Sequence, residues 1–172
     1  ALSEEKYLEI IFGKTAILFS AACEVGPLIN ERSLQEIIAL REFGKNLGII
    51  FQIVDDMLDY SSKEQILGKD LGNDFFEGKI TLPIILCYQS ADEEDRQVIK
   101  NLFEKNLITD KKNQNDFNVI LSLLEKYHSF TLCQNKAVEY QKRALKNLEI
   151  FPHSEAKEAL IVVLNYALGR IF

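Results

Sequence analysis

The 172 residues suffice for one ordinary domain with a sizeable core, and 47% apolar with 27% charged residues is a globular rather than a disordered composition. A net charge of −6 disfavours a general nucleic-acid binder, and there is no basic stripe for a membrane surface; an anionic small molecule stays open, because local lysines and metal ions override a global sign. Cys23, Cys87 and Cys133 lie far apart in apolar contexts, which speaks against a disulfide frame or a zinc site and for reduced core residues in a cytoplasmic protein.

The opening ALSEEKYLEI has no Met and enters an amphipathic helix at once, so further chain is expected upstream. Residues 3–25 form the first predicted helix, with Ser3 as N-cap and Tyr7, Ile10, Ile11, Lys14, Ile17 and Leu18 in helical spacing. Gly26-Pro27 ends it. A second helix is predicted from Glu31 to Tyr60; Gly44 and Gly48, one turn apart, suit close helix packing. Residues 61–78 are polar and glycine-rich, with room for a short helical turn. Residues 80–90 read as an apolar helix interrupted early by Pro83. Ser90-Ala91-Asp92-Glu93 has the form of a capping box and starts a helix reaching Asn106. DKKNQND is a loop, and a long amphipathic helix follows from Phe117 to Leu148. Pro152 and Ser154 open the last helix, which ends near Gly169. No period-two stretch, repeat, signal peptide or bilayer-length apolar run is apparent, and His128 and His153 lack metal-ligand spacing. The expected class is all-α, a bundle of long helices forming one domain over residues 1–172.

Within the second helix, FQIVDDMLDY crowds three carboxylates into an apolar stretch. At ~100° per residue, with Asp55 at zero, Asp59 falls near ~40°, Gln52 near ~60° and Asp56 near ~100°. Ile50, Ile53, Val54 and Met57 take the opposite face. A like-charge pair at this spacing costs only about 0.2–0.5 kcal/mol when exposed, so a solvated stripe is allowed. The stripe carries no lysine or arginine, however, and carboxylates with a neutral amide suit a hard cation such as Mg²⁺. Both readings, wet stripe and metal site, stand at this point.

Three lysines bear on the choice. Lys14, with Thr15 beside it, interrupts a mostly apolar helix, where snorkelling to water is the commoner role. Lys69 in GKDLGND and Lys79 in EGKITLP have glycine neighbours that let backbone approach a ligand, and a lysine ammonium suits phosphate. Together with Asp55-Asp56-x-x-Asp59 they could hold a diphosphate between metal and ammonium groups.

GKTAILFSAACEVG, FGKNLGIIFQIVDDMLDY and LGKDLGNDFFEGKITLP occur in this order. In combination they resemble the C-terminal half of a trans-isoprenyl (polyprenyl) diphosphate synthase, most like the bacterial octaprenyl or a related long-chain type, over essentially the whole chain up to LNYALGRIF. The resemblance implies an all-α isoprenoid-synthase-like fold with a central cavity, and Mg²⁺-dependent condensation of an allylic diphosphate with isopentenyl diphosphate. By resemblance Asp55, Asp56 and Asp59 form the second aspartate-rich metal motif, with Asp55 a direct ligand and Asp56 and Asp59 acting directly or through water. Lys14, Lys69 and Lys79 match the lysines that grip the allylic diphosphate. Thr15 and Gln52 match polar groups beside the nascent cation, and Phe51 would lie near the isopentenyl diphosphate site. Asp74 would order the loop around Lys69.

The first aspartate-rich motif and the upstream basic residues of that family are absent from these residues. The isolated chain is therefore expected to be inactive without an N-terminal half. It is also expected to form a homo-oligomer, a dimer, through apolar faces that the other half would cover. The alternatives are a non-catalytic subunit or assembly partner of a prenyl synthase, a class I terpene cyclase, and a helical domain whose charged face is merely wet.

Overall fold

The structure is a computed structural model that describes residues 3–61, 71–108 and 113–170. Among these residues the regular secondary structure is all helical, joined by short turns. The first predicted helix is realised as α1 (Glu4–Ile11), a π-helical turn (Phe12–Ala16) and α2 (Ile17–Ile29). A π turn inserts one extra residue into the ladder, and such turns are frequent at functional sites. Pro27 does not end α2 as expected, because it sits in the final turn. There Asn30 Nδ2 and the Arg32 N–H satisfy the carbonyls of Gly26 and Pro27 at 2.8 and 3.0 Å.

α3 (Leu34–Leu58) starts three residues later than expected. Its start is set by a reciprocal capping box: the Ser33 N–H donates to Glu36 Oε2 at 3.0 Å and the Glu36 N–H to Ser33 Oγ at 3.3 Å. A short α4 (Asn73–Phe76) follows the glycine-rich stretch, and α5 (Leu82–Ser90) carries Pro83 in its first turn, where a missing N–H costs nothing. α6 (Glu93–Ile108) is capped by Asp92 rather than Ser90, with the Asp95 N–H donating to Asp92 Oδ1 at 2.9 Å.

The single helix expected from Phe117 to Leu148 is instead two, α7 (Gln114–Lys126) and α8 (Ser129–Asn147). His128 adopts a positive φ of 52° between them, a conformation that stops a helix. α9 (Glu155–Gly169) is capped by Ser154, which accepts the Lys157 N–H at 3.2 Å. Among the described residues no helix is long and apolar enough to cross a membrane.

The chain forms two compact units, Ala1–Tyr7 with Asp55–Gln134 and Leu8–Val54 with Asn135–Phe172. The first has an aromatic core. Phe75 is fully buried, edge-on to Phe103 at 5.3 Å and tilted against Phe117 at 5.8 Å. Each such ring contributes about 1.5–3 kcal/mol by burial. Gly72 approaches the same cluster with φ of 75°, and a Cβ there would lie 2.4 Å from the Phe117 ring. In the second unit Phe43, Ile50, Ile53, Leu148 and Leu164 are buried. Gly44 and Gly48 do bring α2 and the π turn close to α3: a Cβ would meet Phe19 O at 2.3 Å or Ala16 Cα at 2.6 Å.

Candidate functional site

α3 carries the acidic motif because its two faces differ so sharply. Ile50, Ile53, Val54 and Met57 are buried as the helical wheel requires. The polar face is not a wet stripe, however: Gln52, Asp56 and Asp59 are 6%, 4% and 9% exposed, and only Asp55 among the four is half-buried. A buried carboxylate must be hydrogen-bonded or paired, and the structure shows how each is held.

Asp56 Oδ2 accepts the Tyr7 hydroxyl at 2.7 Å. Burial, then the Asp56 charge, push that phenol well above its ordinary value, so Tyr7 remains a donor. Asp59 Oδ2 accepts the Asp74 N–H at 2.9 Å, and the Asp59 carbonyl accepts the Gly72 N–H at 2.8 Å. The end of α3 thereby anchors the start of α4. Asp74 in turn receives Lys79 Nζ on Oδ1 at 3.2 Å, and its carbonyl takes the Lys79 N–H at 2.8 Å. Lys79 is also paired with Glu77 at 2.6 Å, the larger cause of its raised pKa. Among the described residues Asp74 holds Lys79; Lys69 and the segment around it, which Asp74 was expected to order, are not among them.

In the second unit the π-helical turn presents Lys14 and Thr15. Lys14 is exposed and makes no ion pair among the described residues. The Thr15 hydroxyl donates to Gln52 Oε1 at 2.7 Å, so the two polar groups matched to one role are in direct contact. Phe51 is half-buried, with Phe19 at 5.4 Å and the Arg170 guanidinium 5.0 Å above its ring, within cation–π range.

The acid-rich face offers only oxygen donors, the chemistry of a hard cation. Among the described residues no group of three or more Asp, Glu, His or Cys side chains is placed to hold a metal ion by itself. Asp56 and Asp59 each accept a hydrogen bond on one carboxylate oxygen, from the Tyr7 phenol and the Asp74 N–H, which leaves further lone pairs on both groups. Asp55 is the least buried of the three, which suits an ion that draws its remaining ligands from phosphate and water. Tyr7 and Arg170 were not singled out from sequence. For Tyr7 a signal existed: it lies seven residues, two helical turns, before Lys14.

A family model described as polyprenyl synthetase matches residues 1–123. The chain belongs to the polyprenyl synthetase family. It is 33% identical to a short chain isoprenyl diphosphate synthase of Methanothermobacter thermautotrophicus, over 98% of this chain and 50% of that protein. The crystal structure of a decaprenyl diphosphate synthase from Rhodobacter capsulatus superposes with a TM-score of 0.89 at 36% identity, covering 100% of this chain and 52% of the other. A polyprenyl synthase from Caulobacter crescentus CB15, complexed with calcium and isoprenyl diphosphate, gives 0.88 at 33% identity, covering 99% and 51%. The chain thus spans about half the length of the polyprenyl synthetase relatives it matches, and shares their all-α, isoprenoid-synthase-like fold.

Proposed function

We propose that this chain supplies one half of the active site of a polyprenyl diphosphate synthase, the half that ionises an allylic diphosphate in the presence of Mg²⁺. The observation that carries it is the Asp55-Asp56-x-x-Asp59 motif on α3, whose polar face is buried and hydrogen-bonded rather than wet. Lys14, Lys69 and Lys79 bind the diphosphate and neutralise the charge that develops as the allylic C–O bond breaks and its electron pair leaves with the diphosphate. Asp55 holds the divalent cation, while Asp56 and Asp59 fix the end of α3 and the start of the following segment. Mg²⁺, when bound, supplies Lewis-acid stabilisation of the leaving group. Calcium in the Caulobacter relative, whose structure also contains isoprenyl diphosphate, supports a divalent-cation role here.

Thr15 and Gln52 present polar oxygens to the allylic cation, and Phe51 faces the acceptor. The π electrons of isopentenyl diphosphate form the new C–C bond, and a proton leaves to the released diphosphate. Apolar walls keep water from quenching the cation. The product is a longer, long-chain polyprenyl diphosphate. Turnover requires the complementary N-terminal half of the fold. A homo-oligomer is favoured by exposed apolar side chains such as Leu18, Ile29 and Leu34, and sedimentation as a monomer removes that element.

The test is thermal: Mg²⁺ with inorganic diphosphate raises the melting midpoint of the chain, and Asp55→Asn abolishes most of the rise. No stabilisation of the unsubstituted chain contradicts the diphosphate function. A non-catalytic partner role is the second reading, and mixing with a separately expressed N-terminal half separates the two by product formation.

A further inference from the structure

Tyr7 has none of the roles above, yet its hydroxyl is committed to the acidic motif. It lies in α1, 3% exposed, and reaches Asp56 Oδ2 across 49 positions of sequence at 2.7 Å. An O–H donated to a carboxylate is among the strongest neutral-to-charged contacts, roughly twice a neutral pair. Phenylalanine would fill the same space and leave Asp56 without this donor. The bond therefore does something that packing alone does not: it adds a directional tie from α1 to the last turns of α3.

The consequence falls on the neighbouring residue. A carboxylate projects ~5 Å or more from its helix axis, so a roll of ~10° displaces its oxygens by about 1 Å. Metal–oxygen distances tolerate only about 0.2 Å. Asp55 is the neighbour of Asp56 on the same turn, and any freedom of roll at Asp56 is freedom of aim at Asp55. We infer that Tyr7 is a positioning residue for the acidic motif: by holding Asp56 it sets the direction in which Asp55 presents its oxygens to a divalent cation. This role rests on the diphosphate function proposed above.

The experiment uses the 172-residue chain unsubstituted, as Tyr7→Phe, as Asp56→Ala, and as the double variant; alanine, unlike asparagine, leaves no oxygen to accept the phenol. Mg²⁺ is titrated at fixed inorganic diphosphate, and the melting midpoint is followed. Tyr7→Phe is expected to need about five- to tenfold more Mg²⁺ for half of its stabilisation, and to add no further shift in the Asp56→Ala background, where the bond is already gone. An unchanged Mg²⁺ requirement in Tyr7→Phe overturns the role, whatever happens to the melting point without ligand. So does an equal shift with and without the Asp56 carboxylate, which marks a purely structural tyrosine. Where Tyr7→Phe does not fold, Asp56→Ala removes the same bond from its other end, and an unmoved requirement there has the same meaning. A chain that Mg²⁺ and diphosphate never stabilise takes down the proposed function and Tyr7's role together; a responsive chain with an indifferent Tyr7→Phe takes down Tyr7's role alone.

Discussion

Thr15 and Gln52 are joined by a 2.7 Å hydrogen bond across 37 positions of sequence, which ties the π-helical turn to α3 within one compact unit. Gln52 is 6% exposed, so water cannot readily replace a lost donor. Thr15→Val keeps the shape and deletes the hydroxyl. It is expected to destabilise by about 1–2 kcal/mol, the net value of a bond plus part of the desolvation of its acceptor. Urea denaturation measures the loss; an unchanged midpoint means that the bond contributes nothing to folding.

Gly72 is the most constrained glycine beside the acidic motif. Its φ of 75° disfavours any Cβ, and the Cβ would also lie 2.4 Å from the Phe117 ring. Gly72→Ala combines left-handed strain with overpacking and is expected to cost about 2–4 kcal/mol. The Gly72 N–H to Asp59 carbonyl bond is then strained too, so calorimetry should show a lower melting point together with weaker diphosphate stabilisation.

Lys79 separates binding from folding. Its side chain is 51% exposed and paired with Asp74 and Glu77, so solvent screens both pairs. Lys79→Ala should change stability by no more than about 0.5 kcal/mol. Under the proposed function it should nevertheless lower the affinity for Mg²⁺-diphosphate severalfold, read as the diphosphate concentration giving half-maximal thermal stabilisation. A large stability loss with intact binding reverses the assignment.

Cys87 offers a pH test. Burial is the main reason its thiol is pushed from an ordinary 9.0 up to about 11. The unfolded thiol ionises first, so between about 9 and 11 the folded chain binds more protons than the unfolded one. Stability therefore falls as pH rises through that window, by about 1.4 kcal/mol for each unit of displacement as an upper bound. Melting points from pH 8 to 11 should drop less steeply in Cys87→Ala, because one contributor has gone. Cys133, also raised by burial, keeps part of the slope. Identical slopes would mean that Cys87 is already accessible in the native state.

Some local rules were read correctly and others were not: the Ser33–Glu36 capping box that starts α3 was passed over, and the cap of α6 was placed on Ser90 instead of Asp92. Ser154 caps α9 and Gly44 with Gly48 packs closely, as spacing alone indicated. The two faces of α3 follow from a 100° repeat that any nearby ten residues define. The break between α7 and α8 was not legible, because apolar spacing continues through residues 117–148. It coincides with Tyr127, whose hydroxyl bonds to Asp95 Oδ2 at 2.6 Å on α6 and to Asp92 Oδ2 at 3.2 Å at its N-cap, and with the positive φ of His128. Those partners stand more than thirty positions away, beyond the reach of any periodicity.

The amino-acid order by itself determined the helical class, the amphipathic placement of Asp55, Asp56 and Asp59, and the motif set that marks the polyprenyl synthetase family. Tertiary structure alone decided how deeply each carboxylate is buried and which distant groups hold the two buried ones. Asp56 faces Tyr7 and Asp59 faces the Asp74 N–H, while Asp55 stays half-buried. Side chains on one helical face share an angle by local geometry, but burial and hydrogen-bond partners are set by chain segments folded in from far along the sequence.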